Sequence, residues 1–416
     1  MTTASAPSGN TGAYAVFRLA NYRRYFVGNI LGILGHQMLT LAVGWEIYER
    51  TKSPGMLGNI GLAQYLPILL FTLPAGQVAD RFNRKKIMLC TLSLTAFVAL
   101  ALLYLSVTHG SLTWIYLCLF LNGLARAFQA PARSAFMTQI VPREIFSNAV
   151  AWGSNSFELA TIMGPALGGL LIAANGKPTL VYLLTALAMF TYVGLLFGIN
   201  VHRPQDHREP IHLAGVLTGL RFVWRNKIIL ASITLDLFAV LLGGAVTLLP
   251  VYARDILQVG PTGLGWLRGA SSIGAICMAF AIAHRPPIQK AGRTLLLGVI
   301  GFGLATIVFG LSRNFWLSML MLMLLGAFDS ISVIIRHTLV QLSTPDEMRG
   351  RVSAVNSLFI GTSNELGGYE SGVVAESFGT TASVVSGGIG TLLVVMIVAV
   401  VWPQLRRYGA LGTETR

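Results

Sequence analysis

Charge is scarce in this sequence: Asp, Glu, Lys and Arg make up only 11% of its 416 residues, where a soluble domain carries roughly a quarter. That scarcity excludes an ordinary water-soluble enzyme. Cysteine is nearly absent as well. Cys90, Cys118 and Cys277 stand far apart, each in an apolar stretch, which argues against a disulfide framework and against a metal site. No Gly-x-x-x-x-Gly-Lys-Ser/Thr phosphate loop occurs, so direct drive by ATP is not expected. Gly-x-Ser-x-Gly nucleophile turns and His/Cys/Asp/Glu groupings at metal-ligand spacing are missing too, and neither enzymatic activity nor a cofactor is expected. The opening MTTASAPSGNTGAYAVFRLANYRRYF lacks an apolar core followed by a small-residue cleavage site and does not read as a removable signal peptide.

What is abundant is apolar, at 54% of the chain. With about 20 apolar residues per bilayer crossing, twelve crossings would use about 240 residues plus short loops, which leaves no room for a large soluble domain. Apolar runs broken by Gly, Pro or charge predict helices at 24–49, 54–79, 86–108, 112–140, 146–174, 178–200, 228–253, 262–283, 293–312, 314–341, 352–377 and 380–402. The expected fold is all-α and integral to the membrane, twelve transmembrane helices in two pseudo-symmetric six-helix bundles. Residues 1–23 then form an N-terminal tail, 24–200 the first bundle, 201–227 a linker, 228–402 the second bundle and 403–416 a C-terminal tail. The later part of the linker can form an amphipathic helix on the membrane surface.

The formal charge of +14 is distributed by side. When the chain is threaded through twelve crossings, 21 basic residues fall on the side of the N-terminus, five on the opposite side and four within spans. This bias predicts that both termini are cytoplasmic, and it leaves no basic domain for nucleic acid. Internal similarity supports the two-bundle division. Phe17 and Asn21 match Phe222 and Asn226 at an offset of 205, and Arg133 with Pro142–Glu144 matches Arg336 with Pro345–Glu347 at an offset of 203. Two parallel halves around a midplane site are the expected geometry.

Ionisable groups at membrane depth cost about 2.5 to 3.5 kcal/mol each on insertion scales, so they point to a bundle interior or a wet cavity. Arg126, Gln129 and Arg133 follow Asn122 on one face of the fourth helix; Asp329, Ser332 and Arg336 repeat the pattern in the tenth. Glu158, Asp236, Arg268, Glu365 and Glu370 complete the set, with His36 and His337 as possible relays. A carboxylate held from water beside few cations can exchange a proton near neutral pH, so Arg126, Gln129, Glu158, Asp236, Asp329, Glu365 and Glu370 are candidates for proton coupling and a central cavity. The competing reading is structural: Arg126 neutralised by Glu158, and Arg336 by Asp329 or Glu365. Glu46, near the outer end of the first helix, reads as a solvated anchor.

The segment GQVADRFNRKK, Gly76 to Lys86, lies between the second and third helices and resembles the signature loop of the major facilitator superfamily at Gly76, Ala79, Asp80, Arg81, Arg84 and Lys85. Val78 and Asn83 depart from it, and Asn83 tolerates the left-handed backbone of a glycine. The resemblance implies that Asp80, Arg81 and Arg84 latch the outward-facing state, with Gly76, Arg133 and Arg336 as further gating candidates. Arg126-Ala-Phe-Gln129 is similar to the Arg-x-x-Gln-Gly motif tied to proton coupling, with Ala130 for the glycine. Gly164-Pro165-Ala-Leu-Gly168-Gly169 resembles the exporters' Gly-Pro-x-x-Gly-Gly; physically it makes a closely packed, kinkable helix. With AFQAPARSAFMTQIVPRE and TPDEMRGRVSAVNSLF, the likeness extends to the branch containing the enterobactin exporter and related drug-proton antiporters.

The resemblance implies a monomeric secondary transporter of the bacterial inner membrane that exchanges protons for an amphipathic small molecule, a siderophore or drug. A lysophospholipid or other lipid-like substrate is the alternative cargo. From another class, a non-transporting receptor or assembly factor on the same scaffold remains open.

Overall fold

The computed structural model describes residues 14–200, 213–285, 288–345 and 348–409, and every regular element among them is helical. The first half holds α1 (Ala20–Thr51), α2 (Pro54–Arg81), α3 (Arg84–Val107), α4 (Leu112–Ile140), α5 (Phe146–Asn175) and α6 (Thr179–Phe197). The linker contributes α7 (Leu213–Arg225). The second half holds α8 (Lys227–Leu242), the single turn α9 (Leu249–Val251), α10 (Gly260–Ala283), α11 (Ala291–Leu311), α12 (Phe315–Leu342), α13 (Arg349–Phe378) and α14 (Thr380–Val401), and α15 (Pro403–Arg407) follows.

Side-chain caps fix several of the starts. Ser53 accepts from the Met56 amide at 3.2 Å ahead of Pro54 at the first helical position, and Asn226 and Asn314 cap α8 and α12 in the same way. Asn83 is also a cap, accepting from the Lys86 amide at 3.2 Å, and its φ of −63° corrects the left-handed turn expected there.

Among the described residues, ten helices are long and apolar enough to cross a bilayer. α4 and α13, at 29 and 30 residues, have the length, but their internal charge spoils the composition. Both are packed among apolar helices, α4 against α2 and α3, α13 against α2, α8 and α14. Large apolar side chains such as Phe97, Leu187, Leu297 and Val400 are exposed, as lipid contact requires.

The continuous helix expected at 228–253 is broken. α8 ends at Gly243–Gly244, a 3₁₀ turn follows at Ala245–Leu248, and Tyr252–Ile256 is π-helical. Gly244 brings its backbone against the Gly367 carbonyl and the Ser371 hydroxyl of α13, and Pro250 removes a helical donor. The tails fold further than expected. Val16, Tyr22 and Tyr25 are buried, with Phe17 edge-on to Trp152, and Leu405 is buried while the Ala291 amide donates to the Gly409 carbonyl at 3.0 Å. Residues 201–212 of the linker lie outside the described residues.

Helix neighbours repeat between the halves. α1 packs on α5 and α6, α2 on α4, and α3 on α4 and α6; correspondingly α8 packs on α13 and α14, α10 on α12, and α11 on α12 and α14. The halves meet through α5 on α10 and α2 on α13, again an equivalent pair. A methyl group at Gly169 would collide with the Pro261 carbonyl, and one at Gly372 with the Pro54 carbonyl. Pro54-x-x-x-Gly58 and Pro261-x-x-x-Gly265 are therefore matched surfaces, each receiving the other half's glycine.

These contacts lie toward one end of the bundle. The face with the described chain ends and the α2–α3 turn is the near face; the face with the Lys52–Ser53 turn is the far face. On the far side one apolar core runs through both halves, joining Leu39, Ile47 and Leu119 to Leu249, Leu267 and Phe309. On the near side there are two, one around Tyr25, Met88 and Phe136 in the first half and one around Ile229, Leu295 and Ile335 in the second. Among the described residues, one core joins the halves at the far face and each half has a core of its own at the near face.

Candidate functional site

Arg126 on α4 belongs to the first half, Arg268 on α10 and Glu365 on α13 to the second; Glu365 interacts electrostatically with Arg126 across the boundary and with Arg268 within its own half. His36 of α1 lies within range of both guanidiniums. Tyr65 of α2 is held by Thr362 of α13 at 3.0 Å and is near Glu365. Arg126 is solvent-exposed although it is mid-helix, while Arg268 and Glu365 are half-buried. A guanidinium at this depth facing lipid would be costly, and its partners lie in the other half, so the cluster lines the space between the halves.

Gln129 is half-buried one turn from Arg126. Asn122 does not join the cavity: it is 1% exposed, beside Gly123, which packs on α2 at Gln64. Glu158 is exposed and forms no ion pair with Arg126, so the pairing weighed for those two is not found. Glu370 is half-buried and accepts from Ser371 at 3.4 Å.

Arg336 is 2% exposed and pairs with neither Asp329 nor Glu365. Its partner is Asp236 of α8, 7% exposed. Asp236, Asp329 and Ser332 line a cavity of about 10 Å³ closed by Phe302 and Phe328, enough for about one water. Two of the expected central carboxylates, Asp236 and Asp329, are therefore inside the second half.

In the α2–α3 turn, Asp80 is half-buried, Arg81 exposed and Arg84 buried, and Asp80 forms no ion pair among the described residues. Gly76 has open space around it. Lys85 donates to the Phe197 and Ile199 carbonyls at 3.0 and 2.8 Å, which ties the turn to the end of α6. Arg133 is exposed, near Tyr25 and Tyr192. Gly164 and Gly168 pack on α1 at Gln37 and Met38, while Gly169 and the Pro165 carbonyl meet α10.

The far face carries a polar clasp that the sequence reading missed. Arg254 grips Glu49 with two nitrogens, at 2.8 and 3.0 Å. Tyr48 donates to Asp255, and Glu376 accepts from the Ser53 hydroxyl at 2.8 Å and the Gly55 amide at 3.0 Å. All of these join the two halves. The offset of 205 relates Glu49 to Arg254, so opposite charges at equivalent positions near a twofold axis were the available signal. Glu46 is buried rather than solvated, accepting from Tyr182 at 2.6 Å and pairing with Arg50 at 2.5 Å.

A family profile described as "Transmembrane secretion effector" matches residues 11–412. The chain is 26% identical over 393 residues to the enterobactin exporter EntS of Shigella boydii serotype 4 and to that of Escherichia coli O1:K1, covering 93% of each partner. Its fold is similar to a bacterial homologue of the human lysosomal transporter Spinster, inward-facing and unoccupied, with a TM-score of 0.74, 14% identity and coverage of 94% and 98%. The POT family transporter PepTSo gives a TM-score of 0.75 at 11% identity, covering 93% and 98%. With ten helices among the described residues long and apolar enough to cross a bilayer, two halves with matching helix neighbours and a charged cluster between them, this chain belongs to the transmembrane secretion effectors of the major facilitator superfamily, a multi-pass membrane transporter and not an enzyme.

Proposed function

We propose that the protein is a secondary exporter of an amphipathic small molecule, working by alternating access with its near face in the cytoplasm of a bacterial inner membrane. The single observation that supports this reading is the contrast of cores: one continuous core with a clasp at the far face, two separate cores at the near face, and charged residues between them. That is the geometry of a binding site open to the near side. Export follows when the halves rock so that the far face parts and the near face closes. The Asp80 turn lies where a near-face latch would form, with Arg81 and Arg84 beside it.

Proton movement is assigned to carboxylates at membrane depth: Asp236 and Asp329 beside Arg336 within the second half, and Glu365 in the central space. Each can change charge without leaving the bundle, and the Asp236–Arg336 pair joins α8 to α12, two helices that must shift if the second half flexes. Siderophores are the first cargo class to test, because the relatives are enterobactin exporters.

Everted membrane vesicles provide the test. Respiration acidifies their lumen, and adding a catecholate siderophore or an amphipathic drug should release protons while the compound accumulates. Accumulation indifferent to collapse of the proton gradient would remove the coupling; no accumulation of any amphiphile would remove the exporter reading.

A further inference from the structure

The central cluster is unbalanced. It holds two guanidiniums, Arg126 and Arg268, against one carboxylate, Glu365, and neither arginine forms an ion pair among the described residues. Glu365 instead projects its Oε2 toward Gly61 of α2, where any larger side chain would collide with it. The carboxylate thus leans across the boundary between the halves, close enough to bias both guanidiniums and not engaged with either. Unpaired cations at this depth are costly, and the cost falls when an anion reaches them. His36 and Arg133, the other ionisable groups within range of the pair, add no negative charge.

We propose that the central site takes the carboxylate of an amphipathic organic acid, gripped by Arg126 from one half and Arg268 from the other, with Glu365 as a built-in competitor for the same two guanidiniums. This rests on the transport reading of the central cavity and narrows its cargo. With Glu365 ionised, Arg126, Arg268 and Glu365 together carry one net positive charge, which a monoanion balances, and Arg133 within range of Arg126 adds to the positive field. The planar fork of each guanidinium matches a two-oxygen acceptor. Because the two arginines come from different halves, a bound carboxylate also bridges them, and when it is absent Glu365 keeps the cations from standing uncompensated.

Equilibrium binding to the purified full-length protein in detergent tests this without any need for flux. Three probes sharing the dansyl group are titrated: dansylglycine, an acid; dansylglycinamide, its neutral isostere; and dansylcadaverine, a longer cation. The expected order is dansylglycine tightest, the amide at least about tenfold weaker and the cation weakest. Arg126→Gln and Arg268→Gln should each weaken dansylglycine by about tenfold or more and leave the amide unchanged, whereas Glu365→Gln should tighten dansylglycine. If a Gln variant fails to elute as a monodisperse species, Arg126→Lys and Arg268→Lys keep the charge without the fork, and a loss of a few-fold for the acid alone is expected. Tighter binding of dansylcadaverine that is lost in Glu365→Gln would overturn the proposal, as would no binding of dansylglycine up to about 1 mM. Flux separates the two readings: proton-coupled transport of dansylcadaverine keeps the exporter and removes the carboxylate site, while dansylglycine binding with no flux of any probe does the reverse.

Discussion

The far and near faces of this protein are held by different means. At the far face the two halves share one apolar core, and small residues let backbones touch: Gly169 against Pro261 and Gly372 against Pro54. The charges of the clasp lie at the rim, with Glu49 and Arg254 46% and 27% exposed. At the near face each half keeps its own core and packs its own tail, through Phe17 and Trp152 in the first and Leu405 in the second. Among the described residues the near ends pack as separate cores, the arrangement that the proposed rocking of the halves would use.

The comparison breaks most completely if the far face is tied shut. In a background with Cys90, Cys118 and Cys277 replaced, Glu49→Cys and Arg254→Cys bridged through two disulfides by a short bis-methanethiosulfonate should reduce transport to background, and reduction of those disulfides should restore it. Full turnover in the bridged protein would show that the far face does not open.

Asp236→Asn comes next. It leaves Arg336 buried without its partner, a change that costs about 3 to 5 kcal/mol, and hydrogen exchange should rise around α8 and α12 with little change in α1 to α6. The double variant Asp236→Asn/Arg336→Met should recover part of the thermal stability; equal loss in both halves would argue against independent near-face cores.

Smaller effects sharpen the picture. Gly169→Leu or Gly372→Leu wedges a side chain into the opposite backbone, at about 1 to 3 kcal/mol, and spin-label distances across the far face should lengthen. Glu49→Gln removes two exposed ion pairs, with Arg254 and with Lys52, each worth about 0.2 to 1 kcal/mol. It should shift the same distances only slightly, and less in high salt.

The helices, their approximate ends and the duplicated plan were legible because lipid forces long apolar runs and side preference of basic residues. The polar turn at Gly76–Lys86 was legible as a motif, but not what Lys85 does there, since the α6 carbonyls it meets are more than a hundred positions away. The break in α8 was hidden because Gly243–Gly244 reads as close packing, and only the proximity of α13 makes it an interruption. The cost of charge at membrane depth pointed Asp236, Asp329 and Arg336 toward a bundle interior or a wet cavity. It could not choose between the interior of one half and the space between two, because a single helix pattern does not say which neighbour a face meets. Glu46 misled for the same reason: Tyr182 and Arg50 come to it only in three dimensions.

The docked C-terminal segment carries a consequence for biogenesis. The first amides of α11 at Ala291 and Gly292 are satisfied by the carbonyls of Gly409 and Tyr408, so that helix begins on bonds the nascent chain cannot supply until synthesis has passed Gly409. The second half is thereby sealed by residues made after all its crossings, and a fusion partner attached too close to that point would compete with the seal during insertion.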